Sequence, residues 1–597
     1  MNAANLKTSQ SQTLMTKSLI NIDDIANFFE VEATVAQQKH DQYMALPIEE
    51  RIRKRKAIDN VYWDADFVDY SENNVLLRLK AAKNLSDFKE GDSLLLHKVG
   101  ERYGLECQLY DYDDDDNIII QAYRPDLDDS WIDIPLVLDK NVVDMRKNVF
   151  GKYLVQEECG KAYWKKNIIN SGKAPCFNNW EACEADLKET EEWMPKPLTP
   201  LQREAVLKCM STDSHYLIQG PPGTGKSFVL AVIILEELLY FQRTVVVVGP
   251  NHQAINNTLK QVLQLIPFYA ENIVKVGQAY HARDLYVEHD GEKIEMQHVS
   301  HLSVENCNQY SVPLLFGMTP YSLYTSRARG LRFDTLVVDE AGQVTIPLAQ
   351  MAMRLAHRVI LAGDHKQLPP IVAEEIDPKM KESIFQRLLT PDNCTMLDTT
   401  FRMCGPICQF VSDIFYDGQL KPFKSAKGTR IRNGGRLYSF ANPVVLYQVD
   451  DNAKQVSSLE TAAIRSIVEQ YCCHHSLPPE EIAVLSPFRA QVADIRRMLK
   501  KSTLLTREQT EQVVVDTIDK LQGQEREVII VSMAAGDIDY MNEMSDFLYN
   551  SNKLNVAFSR AKYKLIVVGN FESMKSLPES KHPHIHAMLQ STIAERL

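Results

Sequence analysis

The stretch Gly220–Ser227, GPPGTGKS, constrains this 597-residue chain more than any other. It fits G-x-x-x-x-G-K-[ST] and stands between an apolar run, YLIQ, and a helical one, FVLAVIILEELL. A strand entering a glycine-rich turn that opens a helix leaves backbone N–H groups free to close around an anion at the helix N-terminus. Gly220, Pro221, Pro222, Gly223, Thr224, Gly225, Lys226 and Ser227 form that turn; Lys226 is placed to reach β- and γ-phosphate oxygens, and the Ser227 hydroxyl to coordinate Mg²⁺. A nucleoside triphosphate site within an α/β fold is therefore expected.

The surrounding pattern agrees. Tyr216–Gln219, Val245–Val248, Leu336–Val338 and Val359–Leu361 are short apolar runs that each end in a polar or glycine-rich loop, as in a parallel sheet whose strand C-termini carry the chemistry. LVVDEAGQ puts Asp339 and Glu340 at such a strand end, Asp339 to hold Mg²⁺ and Glu340 to orient or deprotonate the attacking water. GDHKQLPP follows another, where Gln367 can sense the γ-phosphate. A second set, Ile482–Leu485, Val513–Val515, Val528–Val531 and Leu565–Val568, has no phosphate loop, so two α/β domains share one nucleotide site. Phosphoryl transfer also calls for a cation from a facing surface; Arg402 in LDTTFRM and Arg560 in NVAFSRAK are the candidates.

Residues 1–200 read differently. They carry a net charge of −11, against −2 for 201–597, so the acidity lies mainly in the first third. Helical spacing runs from about Asp41 to Ile58 through Arg51, Arg53, Lys54, Arg55 and Lys56, read as a solvated face. NVLLRLKA, DSLLLHKV, YGLECQLYDY and NIIIQAY then suggest a small barrel or sandwich, with Asp113–Asp116 as a hairpin tip. Residues 141–170 return to helical texture, and Pro195, Pro197 and Pro200 mark a boundary.

The excess chain between Thr258 and Leu336 implies an insertion over about 277–311, whose His281, His289, His298, His301 and Cys307 are too loosely spaced for zinc. Cys472-Cys473-His474-His475 is rejected as a metal site because adjacent residues cannot all face one ion. Eleven cysteines without a C-x-x-C pair, a polar N-terminus and no 18-residue apolar run point to a soluble cytoplasmic protein away from membranes.

LTPLQREAV, GPPGTGKS, DEAGQ, GDHKQLPP, LDTTFRM, VLSPFRAQV, VDTIDKLQGQE and LNVAFSRAK, in that order over about 195–570, resemble the Upf-like branch of superfamily 1 (superfamily 1B) DNA/RNA helicases. The resemblance implies two RecA-like P-loop NTPase domains in tandem, preceded by a small β-barrel with flanking stalk helices. It implies ATP and Mg²⁺ as cofactors, with Gln202 on the adenine edge, Phe401 packing on the base and Glu525 at the ribose or coupling the domains. Lys553 stands where an arginine is frequent, leaving Arg560 as the finger. Pro250, Asn251, His252, Thr319, Pro487, Thr517 and Gln522 resemble positions lining a channel for single-stranded DNA or RNA, gripped without sequence readout. A 5′ to 3′ polarity is implied in the same way.

The resulting division is 1–60, a helical stalk; 61–140, the barrel; 141–194, a second helical linker; 195–395 and 396–597, the two RecA-like domains. The chain is read as an ATP-dependent helicase or translocase; the alternative is a nucleic-acid-stimulated ATPase that remodels nucleoprotein complexes without processive unwinding. The acidic first third is open to a protein partner.

Overall fold

The structure is a computed structural model, and it describes residues 18–70, 74–81, 84, 86, 88, 92–113, 117–123, 129–141, 168–170, 174–277, 282, 284–302, 312–324, 328, 330–423, 442–473, 477–521 and 523–597. Strands β1 (Ala57–Tyr70), β2 (Asn74–Ala81), β3 (Ser93–Lys98), β4 (Leu105–Tyr112), β5 (Ile118–Tyr123) and β6 (Leu136–Lys140) form a closed barrel in the order β1-β2-β5-β4-β3-β6. Strand β1 also pairs with β6, which seals it. Alternate residues point inward, among them Leu77 and Leu79, Leu94 and Leu96, Leu109, Ile118 and Ile120, and Leu136 and Leu138. Asp113 bonds back to Asn117 at the β4–β5 turn; Asp114, Asp115 and Asp116 lie outside the described residues.

The helix expected over 41–58 is displaced toward the N-terminus. A 23-residue helix, Ile22–Met44, starts at a capping box made by Asn21 and Asp24. Pro47 interrupts helical hydrogen bonding before the short helix Ile48–Arg53, and Ala57 already pairs with Asp139 in the barrel. The basic run is not a uniform solvated face either. Arg51 is buried on Asp139, which also accepts from Tyr43 Oη at 2.7 Å and faces His97 Nε2 at 2.8 Å, while Arg53 and Lys54 pair with Glu50. This knot ties both helices to the barrel.

At its other end the long helix packs Ile25, Phe28, Phe29 and Val35 into the core of the first α/β unit. Asp24 meets Lys379 at 2.7 Å, and Glu32 accepts from the backbone N–H of Ala373 at 2.6 Å. Of the second stretch expected to be helical, 142–167 lies outside the described residues; the helix Trp180–Trp193 precedes the first α/β unit.

That unit contains β7 (His215–Gln219), β8 (Val245–Val248), β9 (Ile273–Val276), the separate hairpin β10 (Tyr286–His289) and β11 (Glu292–Glu295), β12 (Gln297–Val299), β13 (Leu315–Gly317), β14 (Phe333–Val338), β15 (Ala356–Gly363) and β16 (Cys394–Met396). All but the hairpin join an eight-stranded parallel sheet, β12-β9-β13-β8-β14-β15-β7-β16. Both faces of such a sheet are covered by helices, which is why β8 is four valines, all buried. The hairpin and edge strand β12 occupy the expected insertion. Its His289, His298 and His301 assemble no metal group among the described residues, and His281 and Cys307 lie outside them.

A two-residue pair, β17 (Thr399–Thr400) with β18 (Lys421–Pro422), leads to the second sheet. It comprises β19 (Val444–Gln448), β20 (Ile482–Ser486), β21 (Val514–Thr517), β22 (Arg526–Ser532), β23 (Ala561–Gly569) and β24 (Glu595–Arg596), parallel throughout in the order β21-β20-β22-β23-β19-β24. Cys472 is buried and Cys473 exposed at the end of the helix Ser458–Cys473; His474 and His475 lie outside the described residues. No helix among the described residues is long and apolar enough to cross a membrane.

The helix after the phosphate loop, Lys226–Leu239, buries every residue from Val229 to Leu238, including Glu236 and Glu237. Burial pushes Glu236 up to about 7. Glu237 accepts from Arg358 Nη1 at 2.7 Å and Thr335 Oγ1 at 2.5 Å, which clamps the helix to β14 and β15. Removing one member of a buried pair strands the other charge. Arg358→Met should therefore cost about 3–5 kcal/mol of stability by urea unfolding, and Glu237→Leu added to it should recover most of that loss.

Candidate active site

The glycine-rich turn takes a shape that glycine adopts without strain and other residues do not. Gly223 and Gly225 have φ of 73° and 80°, left-handed values that cost an L side chain about 1–2 kcal/mol. A Cβ on Gly223 would lie 2.5 Å from Arg402 Cβ, so the loop also sits hard against the second α/β unit. Thr224 Oγ1 donates to the Pro221 carbonyl at 2.8 Å, and the Gly220 N–H to the Gly363 carbonyl at 2.9 Å, which fixes the turn over the ends of β7 and β15. Ser227 follows Lys226 at the start of the helix.

Lys226 lies with its ammonium 3.1 Å from Asp339 Oδ1 and 2.5 Å from Glu340 Oε1. Burial acts to lower its pKa, but the two carboxylates outweigh it and hold the lysine above its ordinary value. Asp339, 2% exposed at the end of β14, also accepts from Thr258 Oγ1 at 2.8 Å and from the Glu340 N–H at 2.8 Å. Thr258 was not singled out by sequence reasoning; only its place in the helix after β8 could have signalled it. Glu340 has φ 52°, a sharp bend that turns its side chain toward Lys226.

The second unit faces this cluster. Arg560 is 3% exposed, and its Nη2 donates to Gln367 Oε1 at 3.1 Å. Burial and then neighbouring Arg402 push it down to about 9, against the opposing pull of Glu340, Tyr416 and Glu525. Arg402 Nε lies 2.5 Å from Glu525 Oε2, and Lys562 reaches Glu525 Oε1 at 3.1 Å. Those two cations overcome burial and hold the Glu525 carboxyl below its usual range. Lys226, Asp339, Glu340, Gln367, Arg402, Glu525 and Arg560 are thus gathered around one cleft, with Lys562 an unforeseen member.

On the rim, Gln202 is buried rather than open. Its carbonyl accepts from the Thr199 N–H at 2.9 Å, and its Nε2 donates to the Thr224 carbonyl at 2.8 Å, so it braces the phosphate loop. A Cβ on Gly225 would lie 2.8 Å from Gln202 Nε2 and 3.9 Å from Phe401 Cε2, which brings glutamine and aromatic ring to the same turn. Thr400 Oγ1 donates to the Pro222 carbonyl at 2.9 Å, and the Phe401 N–H to the Gly223 carbonyl at 2.7 Å. Phe401 is 44% exposed and packs at 4.8 Å on Phe423, itself 40% exposed. Phe423 was missed because only the β17–β18 pairing brings it beside Phe401.

The residues expected along a strand channel fall at strand C-termini. Pro250 follows β8 and Thr319 follows β13, adjacent strands of the first sheet. Thr319 Oγ1 lies 3.0 Å from Ser322 Oγ. Asn251 caps the helix His252–Leu265 through the Ala254 N–H at 2.9 Å, a structural use of that side chain. On the second sheet Ser486 pairs with Thr517, so Pro487 and Thr517 are neighbours. Across the two units, a Cβ on Gly523 would lie 3.8 Å from Gln253 Nε2, next to His252 in sequence. Gln522 lies outside the described residues.

Two family models, each described as "AAA domain", match residues 197–310 with 319–375, and residues 380–572. The chain is 26% identical over 437 residues to DNA replication ATP-dependent helicase/nuclease JHS1 of Arabidopsis thaliana, covering 69% of this chain and 31% of that one. It is 26% identical over 470 residues to DNA polymerase alpha-associated DNA helicase A of Schizosaccharomyces pombe, covering 67% and 68%. It is 28% identical over 431 residues to DNA replication ATP-dependent helicase/nuclease DNA2 of Gallus gallus, covering 68% and 40%. The aligned region thus spans about a third to two thirds of the length of these relatives. With tandem parallel α/β sheets, a phosphate loop on the first and the eight ordered motifs between 195 and 570, the chain belongs to the Upf-like branch of superfamily 1 helicases.

Proposed function

We propose that this protein is an ATP-dependent helicase or translocase moving on single-stranded nucleic acid. The observation that carries the reading is the split cleft: Lys226, Asp339 and Glu340 stand on the first α/β unit, and Arg560 reaches Gln367 from the second. A site divided in this way ties phosphate chemistry to the distance between two bodies. The helicase names of the relatives support the same activity, and their DNA titles favour DNA as the track.

The donor set suits a magnesium nucleotide. The Ser227 hydroxyl and Asp339 carboxylate are hard oxygen ligands, and Gly223 and Gly225 supply the left-handed backbone of a phosphate-binding turn. Ser227 and Asp339 would hold Mg²⁺, which would supply charge neutralisation to the nucleotide's phosphates. Lys226 exchanges its carboxylates for phosphate oxygens, which releases Glu340 to orient water. Arg560, desolvated and aimed across the cleft, stabilises the transferring phosphoryl group. Gln202 and the Phe401–Phe423 pair frame the nucleobase, and Glu525 holds Arg402 of the second unit where it packs on the phosphate loop.

Pro250 and Thr319 on one sheet, with Pro487 and Thr517 on the other, grip the strand through sugar and phosphate without reading sequence. His252 extends that path, and the resemblance assigns Gln522 to it as well. The helix Ile22–Met44 acts as a stalk that carries the barrel on the first unit, and the acidic first third offers a docking face for a protein partner. Movement 5′ to 3′ follows the resemblance.

Lys226→Ala should abolish ATP turnover and weaken nucleotide binding, read by phosphate release and by a fluorescent ATP analogue; full turnover would remove the phosphate loop from the mechanism. Arg560→Ala should keep nucleotide affinity while kcat falls about 10³-fold or more, and an unchanged kcat would rule it out as the finger. Fork substrates with a single 5′ or 3′ tail, of DNA or RNA, test track and polarity. Displacement of 5′-tailed DNA forks supports the reading, whereas nucleic-acid-stimulated turnover without displacement would favour a remodelling ATPase.

A further inference from the structure

Asp364 follows β15 and is 3% exposed, too deep for a carboxylate to stand without donors. It has four. Gln219 Nε2 and the Lys366 N–H approach Oδ1 at 3.2 and 3.1 Å, and Gln367 Nε2 and Tyr416 Oη approach Oδ2 at 2.8 and 2.6 Å. Three of these belong to the first α/β unit. Tyr416 belongs to the second, just past the helix Gly405–Phe415, and is buried. Its phenol is a donor throughout the working range, because burial and the Asp364 carboxylate hold its pKa well above the ordinary value.

The Gln367 amide then has one orientation open to it. A carboxylate accepts and a guanidinium donates, so the nitrogen must face Asp364 and the oxygen must face Arg560. Tyr416, Asp364, Gln367 and Arg560 make a chain that leaves the second unit, crosses the first and returns to the second. Around it, Asn552 Nδ2 donates to the carbonyls of His365, at 3.0 Å, and Gln367; Asn555 Nδ2 donates to the Lys366 carbonyl at 2.7 Å and to Tyr416 Oη at 2.8 Å. Both asparagines lie on the helix Ser551–Phe558, which leads directly into Arg560. When the two units part, Asp364 loses the tyrosine and Gln367 loses the arginine in one movement.

We infer that Tyr416 is a positioning residue for hydrolysis: from the second α/β unit it fixes Asp364, and through Asp364 the amide of Gln367, only while the cleft is closed. Asn552 and Asn555 clasp the same loop by its backbone. The inference rests on the ATPase reading above and adds to it the device that makes Gln367 responsive to closure. The hydroxyl of Tyr416 is engaged with Asp364 and Asn555, so its removal should act on kcat and leave binding alone.

The test measures ATP turnover with saturating single-stranded DNA for the full chain and for Tyr416→Phe, Gln367→Ala and the double variant. Tyr416→Phe should lower kcat about tenfold, with KM for ATP within about twofold. In the Gln367→Ala background the same change should lower kcat by less than about twofold, since the group it positions is gone. Asn552→Ala, outside the tyrosine's buried site, should repeat the pattern. An equal factor in both backgrounds would mean that the hydroxyl is merely structural, and wild-type kcat in Tyr416→Phe would overturn the role outright. Absence of turnover in the wild-type protein would sink the ATPase reading itself, a failure separate from either.

Discussion

A lysine ammonium held between two carboxylates at the C-terminal edge of a parallel sheet sets the terms for the whole cleft. Asp339 is placed by the pairing of β14 with β8, its own N–H bonding to the Val248 carbonyl, and Thr258 reaches it from the helix after β8. Lys226 is placed by two glycines in left-handed backbone. Neither partner can relax far, so the pair is a loaded arrangement: opposite charges satisfied by each other in a buried site. The rest of the cleft has the same character. Arg402 and Lys562 neutralise Glu525, and Arg560 is occupied by Gln367. An anion entering here meets cations that are already ordered, and it binds by displacing internal partners rather than by assembling the site from mobile side chains. Preordered charge of that kind lowers the reorganisation required during reaction.

The barrel depends on a similar buried charge put to a different use. Asp139 is fully buried, and Tyr43, Arg51 and His97 converge on it from the long helix, the short helix and strand β3. The long helix in turn is sunk into the core of the first α/β unit through Ile25, Phe28 and Phe29. Hydrophobic contact could hold these pieces together at many angles, whereas a carboxylate with several directional partners selects one. The barrel is therefore carried at a set orientation by the unit that bears the phosphate loop.

These features were legible in the sequence to different degrees, for identifiable reasons. NVLLRLKA reads as a strand and is β2, and Asp339, Glu340 and Gln367 all follow β14 or β15, neighbouring parallel strands that end at a common edge. Charged residues buried far from any motif were not legible. Glu236 and Glu237 look like the polar end of an apolar run, and Arg51 like one of five basic residues on a wet helix; only tertiary packing puts Glu237 on Arg358 and Arg51 on Asp139. The start of the helix Ile22–Met44 was hidden because its signal is a capping box, Asn21 with Asp24, in a stretch without strong periodicity. Asn251 shows the converse. Read as a strand contact, it makes a helix cap, and the two uses are compatible only through different atoms.

The cleft takes its walls from both α/β units, and this links them. Arg560 and Gln367 meet across the cleft, and the two units approach again where a Cβ on Gly523 would lie 3.8 Å from Gln253 Nε2. Each sheet is a close-packed body whose strands are buried on both faces, so neither deforms smoothly when a contact at its edge changes. A change of a few ångströms at the phosphate loop must therefore appear as rotation or translation of one body against the other. Hydrolysis chemistry confined to a single unit would have no such consequence. Because Arg560, Tyr416 and the asparagines of the helix Ser551–Phe558 all reach across from the second unit, the arrangement at the first unit's loop is tied to the distance between the two bodies.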